Sequence, residues 1–398
     1  MALGLIKGSQ VMSKGISGTY QTTVFGGETV RAFVPAPLPP IPPLDLAGAR
    51  QRLMERATLA VGRLDSVSTL LPETQLFLYA YVRREAVLSS QIEGTQSSLS
   101  DLLLFELEDA PGAPFDDVVE VSNYIAALEH GMARIGEGFP LCNRLLREMH
   151  ERLMSRGRGS EKEPGQFRHS QNWIGGTRPG NASFVPPPPE QVEPCMAALE
   201  AFLHDDSNAT PILIKAALVH VQFETIHPFL DGNGRLGRLL IALLLHHGRL
   251  LAQPLLYLSL YLKQNRTRYY ELLDRVRTQG DWETWVGFFL EGVEQTANGA
   301  VQTARRLVDL FDADTQRTQG IGRNAPNALR VLAALRQRPI LGIPQLCQHT
   351  GMTFPTASKA MEKLLGNGIV RELTGQRRNR VFVYGAYLDI LSEGGEPL

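Results

Sequence analysis

Two of the most apolar stretches of the chain, "PILIKAALVHVQFETI" at residues 211–226 and "LLIALLLHH" at 239–247, are separated only by "HPFLDGNGRLGR". The first opens with Thr210 as an N-cap and Pro211 at the first helical position; the second runs up to Gly248. A helix without a polar face must be covered all round. The pair therefore predicts two core helices of a mainly α fold, and the segment joining them sits where a core is forming. That segment holds a histidine, an acid, three glycines and two arginines.

Gly232, Asn233 and Gly234 fall at the N-terminus of the second helix. Backbone N–H groups there have no intrahelical acceptor, and glycine lets them approach an anion closely. Arg235 and Arg238 follow one turn apart, and their guanidinium forks suit phosphate oxygens. Asp231 would repel a bare phosphate but suits Mg²⁺, commonly shared between a carboxylate and substrate phosphates. His227 is then left as a general base. An EF-hand loop counted from Asp231 fails, because Arg235, Leu236 and Ala242 stand where an acid or amide, a glycine and a glutamate are required. A capped turn accounts for the glycines and Asp231 but leaves a histidine and two arginines unexplained between apolar helices.

The segment resembles the signature of the Fic family of nucleotidyltransferases, H-P-F-x-[DE]-G-N-G-R-x-x-R, at every specified position. "SSQIEGT" holds Ser89, Glu93 and Gly94 in the spacing S-x-x-x-E-G, similar to the inhibitory helix that precedes the core in part of that family. "GQFRHSQNWIGG" with "FVPPPP" resembles the family's flap, a hairpin that here would use Trp173, Ile174, Gly175, Phe184 and Val185 to hold a target strand. "LYLSLYLKQNRTRYYELL" resembles the helix after the core, so the likeness covers roughly residues 30–310.

The resemblance implies transfer of AMP from ATP to a Ser, Thr or Tyr hydroxyl of a target protein or of the chain itself, with pyrophosphate departing. His227 would take the hydroxyl proton and Asp231 would hold Mg²⁺. Asn233 with the Gly232 and Gly234 amides would hold the phosphates, Arg235 would support the β-phosphate and Arg238 would bind the γ-phosphate. Glu93 docked on Arg238 would occupy the γ-phosphate's place, with Ser89 one turn earlier on the same face. In some relatives such a glutamate orients water that removes AMP, and relatives often form a homodimer through the helical core.

Proline, glycine and polar stretches divide the chain. Residues 1–43 are expected as an N-terminal extended segment ending in "APLPPIPP", 44–112 as a helical domain with the inhibitory helix, and 113–310 as the catalytic core. A polar linker is expected at 311–326, and at 327–398 a winged helix-turn-helix of three short helices and two strands. Thr356, Ser358 and Lys359 near the start of its second turn helix, and Arg377, Arg378 and Arg380 on the wing, are candidates for contacting DNA. This unit sustains a competing reading, a transcriptional regulator whose core only senses a nucleotide. With 40 basic and 41 acidic side chains, any such binding needs a local patch. Cys142, Cys195 and Cys347 are isolated, which suits a reducing, cytoplasmic compartment. No run reaches the roughly eighteen uncharged apolar residues of a membrane span, so the chain is expected to be soluble. His150 begins "HERLM", lacks the second histidine of a zinc helix, and is expected to be structural.

Overall fold

The structure is a computed structural model and describes residues 17–25, 27–70, 74–107, 115–205, 207, 210–376 and 378–397. It begins with an antiparallel hairpin, β1 (Gly18–Phe25) and β2 (Glu28–Pro35), turning at Gly27 with a φ of 83°. An N-terminal segment that is merely extended is therefore not what residues 17–35 form; residues 1–16 of that segment lie outside the described residues. The cause is the alternation in "ETVRAFVP", which turns Val30 and Ala32 into a small core with Val185 while Arg31 faces away. The hairpin is tied to the rest by Phe33 N–H donating to the Val185 carbonyl at 2.9 Å.

After the hairpin the chain is mainly helical. α1 (Ala49–Leu70) and α2 (Thr74–Ile92) lead to α3 (Leu99–Phe105), which starts at a capping box. Ser98 Oγ accepts from Asp101 N–H at 3.2 Å, and the Asp101 carboxylate accepts from Ser98 N–H at 2.8 Å. α4 (Phe115–Gly136), α5 (Asn143–Leu153) and α6 (Pro189–Leu203) surround the two central helices, α7 (Ile212–Ile226) and α8 (Asn233–His247). α7 begins one residue later than its sequence signals indicate, with Pro211 as the cap, and every residue from Ala216 to Ile226 is buried. Among those groups is the Ala217 carbonyl, which accepts from the Trp285 indole N–H at 2.9 Å. No helix among the described residues is long and apolar enough to cross a membrane.

α9 (Ser259–Gln264) and α10 (Arg266–Gln279) precede α11 (Trp282–Gln319), a 38-residue helix that lies along α1 and then continues into the C-terminal part of the chain. The polar linker expected at 311–326 is therefore mostly helix. Its inner face is carried by polar residues, which hides the helical period. Asp314 is 2% exposed, accepts from the Tyr384 hydroxyl at 2.8 Å and pairs with Arg317 at 2.7 Å, while Thr318 Oγ1 donates to the Asp314 carbonyl. Beyond it come α12 (Ala325–Gln337), β3 (Ile340–Gly342), α13 (Ile343–Thr350), α14 (Phe354–Gly366), β4 (Arg371–Glu372), β5 (Val381–Val383) and α15 (Gly385–Ser392). The three strands form an antiparallel sheet in the order β3-β5-β4. One cluster of buried apolar residues runs from Leu53 to Leu391, so the segments divided in the sequence share a core. Replacing Asp314 by Ala should lower stability by about 1–3 kcal/mol, read as the shift in a urea unfolding curve, because the buried Tyr384 hydroxyl loses its acceptor.

Candidate active site

α7 ends abruptly. His227 takes the left-handed conformation (φ 50°, ψ 61°), a strained choice for a residue with a Cβ, and its N–H closes the helix on the Phe223 carbonyl at 2.9 Å. The strain is held by Arg168, which is 1% exposed. Its guanidinium donates to the carbonyls of His227 (2.9 Å), Ser170 (3.1 Å) and Pro187 (2.6 Å), fastening the helix end to both shoulders of the 171–187 loop. Burial, with Arg168 and Arg277 nearby, pushes the His227 imidazole down to about 3. It is neutral at any ordinary pH, the backbone of Glu224 only partly offsetting the burial.

The loop after His227 is braced from within. Asn233 Oδ1 accepts from Phe229 N–H at 2.9 Å and its Nδ2 donates to the Phe229 carbonyl at 2.8 Å, so the Asn233 side chain is engaged with the loop and offers a ligand only its backbone amide. Phe229 stacks on His150 with ring centroids 3.8 Å apart. Gly165 N–H donates to His150 Nδ1 at 2.9 Å, which places the proton on Nε2, and Nε2 lies 2.9 Å from the Asp231 carbonyl. His150 is thus a structural strut for the loop that carries Asp231, and burial pushes it down to about 4. The Asp231 carboxylate is 40% exposed, and its Oδ1 accepts from Gly232 N–H at 2.6 Å.

Gly232 (φ 76°) then caps α8, and Asn233, Gly234 and Arg235 supply the unpaired N–H groups of its first turn. A Cβ at Gly234 would lie 2.3 Å from Glu93 Oε1, so that carboxylate rests on the helix N-terminus. It also meets Arg238, whose Nη2 donates to Glu93 Oε1 at 2.7 Å and to the Ser89 carbonyl at 2.9 Å while Nε donates to Ser89 Oγ at 2.8 Å. Burial works against the charge on Glu93, but Arg238, with Arg235, prevails and holds its carboxyl below the usual range. Gly94, at φ 100°, ends the turn. Arg235 faces elsewhere: its Nη1 donates to Glu120 Oε2 at 3.1 Å, and it lies 3.7 Å from Asp231.

The 164–189 stretch forms a minimal hairpin through one bridge, Ile174 to Phe184, with Gly175 and Gly176 at positive φ. Ile174 N–H donates to the Phe184 carbonyl at 2.8 Å, Val185 is held by β2, and Arg277 covers the Phe184 ring at 3.9 Å. Trp173 lies against the small core of β2 and Val185. The C-terminal candidates do not converge in this way. Lys359 and Arg378 are exposed and Thr356 and Ser358 are half-buried, but Arg380 pairs with Glu362 and, at 2.7 Å, with Glu372; Arg377 lies outside the described residues.

Four contributors escape the sequence reading. Glu120 is the most legible in retrospect, an acid among the buried residues Val118, Val119 and Val121. Arg168, Arg277 and Glu224 carry no local signal, since their partners are distant in the chain.

No group of three or more metal-binding side chains is found among the described residues. A single half-exposed carboxylate, Asp231, beside an anion site fits Mg²⁺, which takes its other ligands from water and phosphate. Fold and site together define a helical protein with an anion-binding helix N-terminus that one of its own carboxylates occupies.

Residues 51–133 match the pattern described as Fic/DOC family N-terminal, and residues 140–245 match that of the Fic/DOC family. Both matched segments thus carry sequence patterns of the Fic/DOC family. The chain is 30% identical over 186 residues to the protein adenylyltransferase Fic of Drosophila grimshawi, 46% of this chain and 35% of that protein. It is 29% identical to that of Drosophila melanogaster with the same coverage. The chain thus spans about a third of the length of these curated relatives. Its fold is shared with a Fic family protein from Desulfovibrio desulfuricans G20, at TM-score 0.56 and 22% identity over 86% of this chain and 98% of the other. It is shared too with a Fic domain containing signaling protein from Bacteroides thetaiotaomicron VPI-5482, at TM-score 0.52 and 19% identity over 62% and 97%.

The His150 strut has a pH signature. Its folded value lies below the ordinary 6.5, so as pH falls the unfolded chain takes up the proton first and stability is lost. Between pH 7 and pH 5 this amounts to about 2 kcal/mol. A His150→Gln variant keeps a donor and an acceptor but does not titrate, so the stability gap between wild type and variant in urea unfolding should narrow by about that amount.

Proposed function

We propose that the protein is an adenylyltransferase that moves AMP from ATP to a side-chain hydroxyl of a protein, and that Glu93 holds it in an inhibited state. The observation that carries this reading is the Glu93 carboxylate seated between Arg238 and the first turn of α8, 2.7 Å from a guanidinium that would otherwise face a phosphate. The relatives named protein adenylyltransferase support the choice of reaction. In the reaction, the hydroxyl proton passes to the neutral His227 as oxygen bonds to the α-phosphorus, and the bond to the β-phosphate oxygen breaks to release pyrophosphate. Amides of the first turn of α8 and Arg238 receive the phosphates. Bound Mg²⁺ would neutralise phosphate charge from Asp231. Arg235, paired with Glu120, supports this region rather than reaching out freely.

Ile174, Gly175 and the bridge to Phe184 would align the target by backbone pairing. The unit of residues 325–392 would act as a winged helix that regulates the core. A DNA-binding role would rest on Thr356, Ser358, Lys359 and Arg378, a thin basic surface once Arg380 is neutralised by two glutamates. The isolated cysteines are the ground for placing the protein in the cytoplasm.

With Mg²⁺ and ATP labelled at the α-phosphate, Glu93→Gly should raise label on protein at least about tenfold over wild type, equivalent to 1.4 kcal/mol or more of clamp free energy. Adding His227→Ala should abolish it. If no label appears on the protein or on a cell lysate with Glu93→Gly, the transferase reading fails. In the Glu93→Gly background, EDTA or Asp231→Ala should cut labelling by about a hundredfold, the loss expected when the ion that neutralises phosphate charge is removed.

A further inference from the structure

The end of α2 that carries Glu93 is held from two sides. Ser89 and Glu93 face Arg238 on α8. Gln91, two residues on from Ser89, projects about 200° around the helix and is 1% exposed. Its Nε2 donates to the Ser97 carbonyl at 2.9 Å and to the Gly395 carbonyl at 3.0 Å, and its Oε1 accepts from Lys263 Nζ at 2.6 Å. Lys263, itself 5% exposed, also donates to the Glu396 carbonyl. Two turns earlier on the same face of α2, Arg84 Nη2 donates to the Glu393 carbonyl at 2.8 Å, and Arg306 of α11 grips the Glu393 carboxylate with contacts of 2.5 and 2.6 Å. The carbonyls of Glu393, Gly395 and Glu396 are therefore bound by side chains of α2 and α9, and Gly395, Glu396 and Pro397 form one wall of a cleft whose other walls include Arg84, Val87, Leu88 and Leu391.

We propose that this segment is a strap whose seating on the back of the inhibitory helix sets how firmly Glu93 holds Arg238. Buried donors on Gln91 and Lys263 need acceptors, and the strap supplies them; once it leaves, water reaches those donors and the last turn of α2 loses its rear support. The strap follows directly from α15, which packs on α11 and α2 and carries the fully buried Leu391. A partner that draws α15 away would thus open the phosphate site without touching it. The inference rests on the reading of Glu93 as the inhibitor, and the regulated contact is distinct from the site itself.

Two full-length variants test it outside the catalytic machinery. Glu393→Arg sets a third cation against Arg84 and Arg306. Gly394→Pro demands a negative φ where the strap has +71°, so it unseats the strap without a change of charge. Both should speed hydrogen exchange at the amides of Glu93, Gly94 and Thr95, which bond back to Ser90 and Gln91, by about tenfold, the equivalent of about 1.4 kcal/mol. Both should also raise labelling from α-labelled ATP toward the level of Glu93→Gly. If Glu93→Gly labels strongly while both strap variants stay at the wild-type level with unchanged exchange, the strap is only packing and the proposal is overturned. If Glu93→Gly itself fails to label, the transferase reading falls and exchange alone decides: faster exchange at 93–95 upholds the strap, and unchanged exchange removes it.

Discussion

A guanidinium buried between apolar helices cannot be left without an anion, and Arg238 is such a group, only 4% exposed on α8. Removing one partner of a buried ion pair costs about 3–5 kcal/mol because the other charge stays uncompensated. Ser89 fixes the orientation of the guanidinium through its hydroxyl and its carbonyl, but both are neutral acceptors and leave the charge unanswered. Glu93 answers it. The seating of Glu93 then follows from the electrostatic demand of Arg238 itself, and another anion bound at the same helix N-terminus would meet the same demand. Gly234 permits the exchange, because any larger residue there would collide with the seated carboxylate.

The polar site survives in an apolar setting because its scaffold is satisfied group by group. Asn233 clips Phe229, His150 carries the Asp231 carbonyl, Arg168 ties the end of α7 to the 171–187 loop, and Glu120 neutralises Arg235. Two further carboxylates, Glu85 on α2 and Glu224 on α7, lie deeper in the field of Arg238, and burial pushes both up to about 7. Near neutral pH each is partly protonated, which limits the negative charge around Arg238 while Glu93 is seated.

Much of this was legible in the chain. The pair of core helices, the glycine cap of α8 and the capping box at Ser98 rest on local patterns of a few residues, while the opposition of Glu93 and Arg238, 145 positions apart, was expected only from the family resemblance. Two elements were misread for a common reason. The helix at 311–319 turns Asp314 and Thr318 inward, and the β1–β2 hairpin has its buried face completed by Val185 from far along the chain, so in both cases the covering surface lies elsewhere in the sequence.

By itself the sequence set which groups are present: a histidine, a carboxylate suited to a cation, donors at a helix N-terminus and two arginines, all within twelve residues. Spacing alone could not assign those arginines different duties; only the family resemblance separated them. Only the tertiary structure turned Arg235 toward Glu120 on α4, and only it withdrew the Asn233 side chain into the loop. It also laid Gly395 against Gln91, 304 positions away in the chain. Such choices depend on which distant group arrives within about 3 Å of a buried donor, and a buried donor accepts whichever partner the packing of the whole chain delivers.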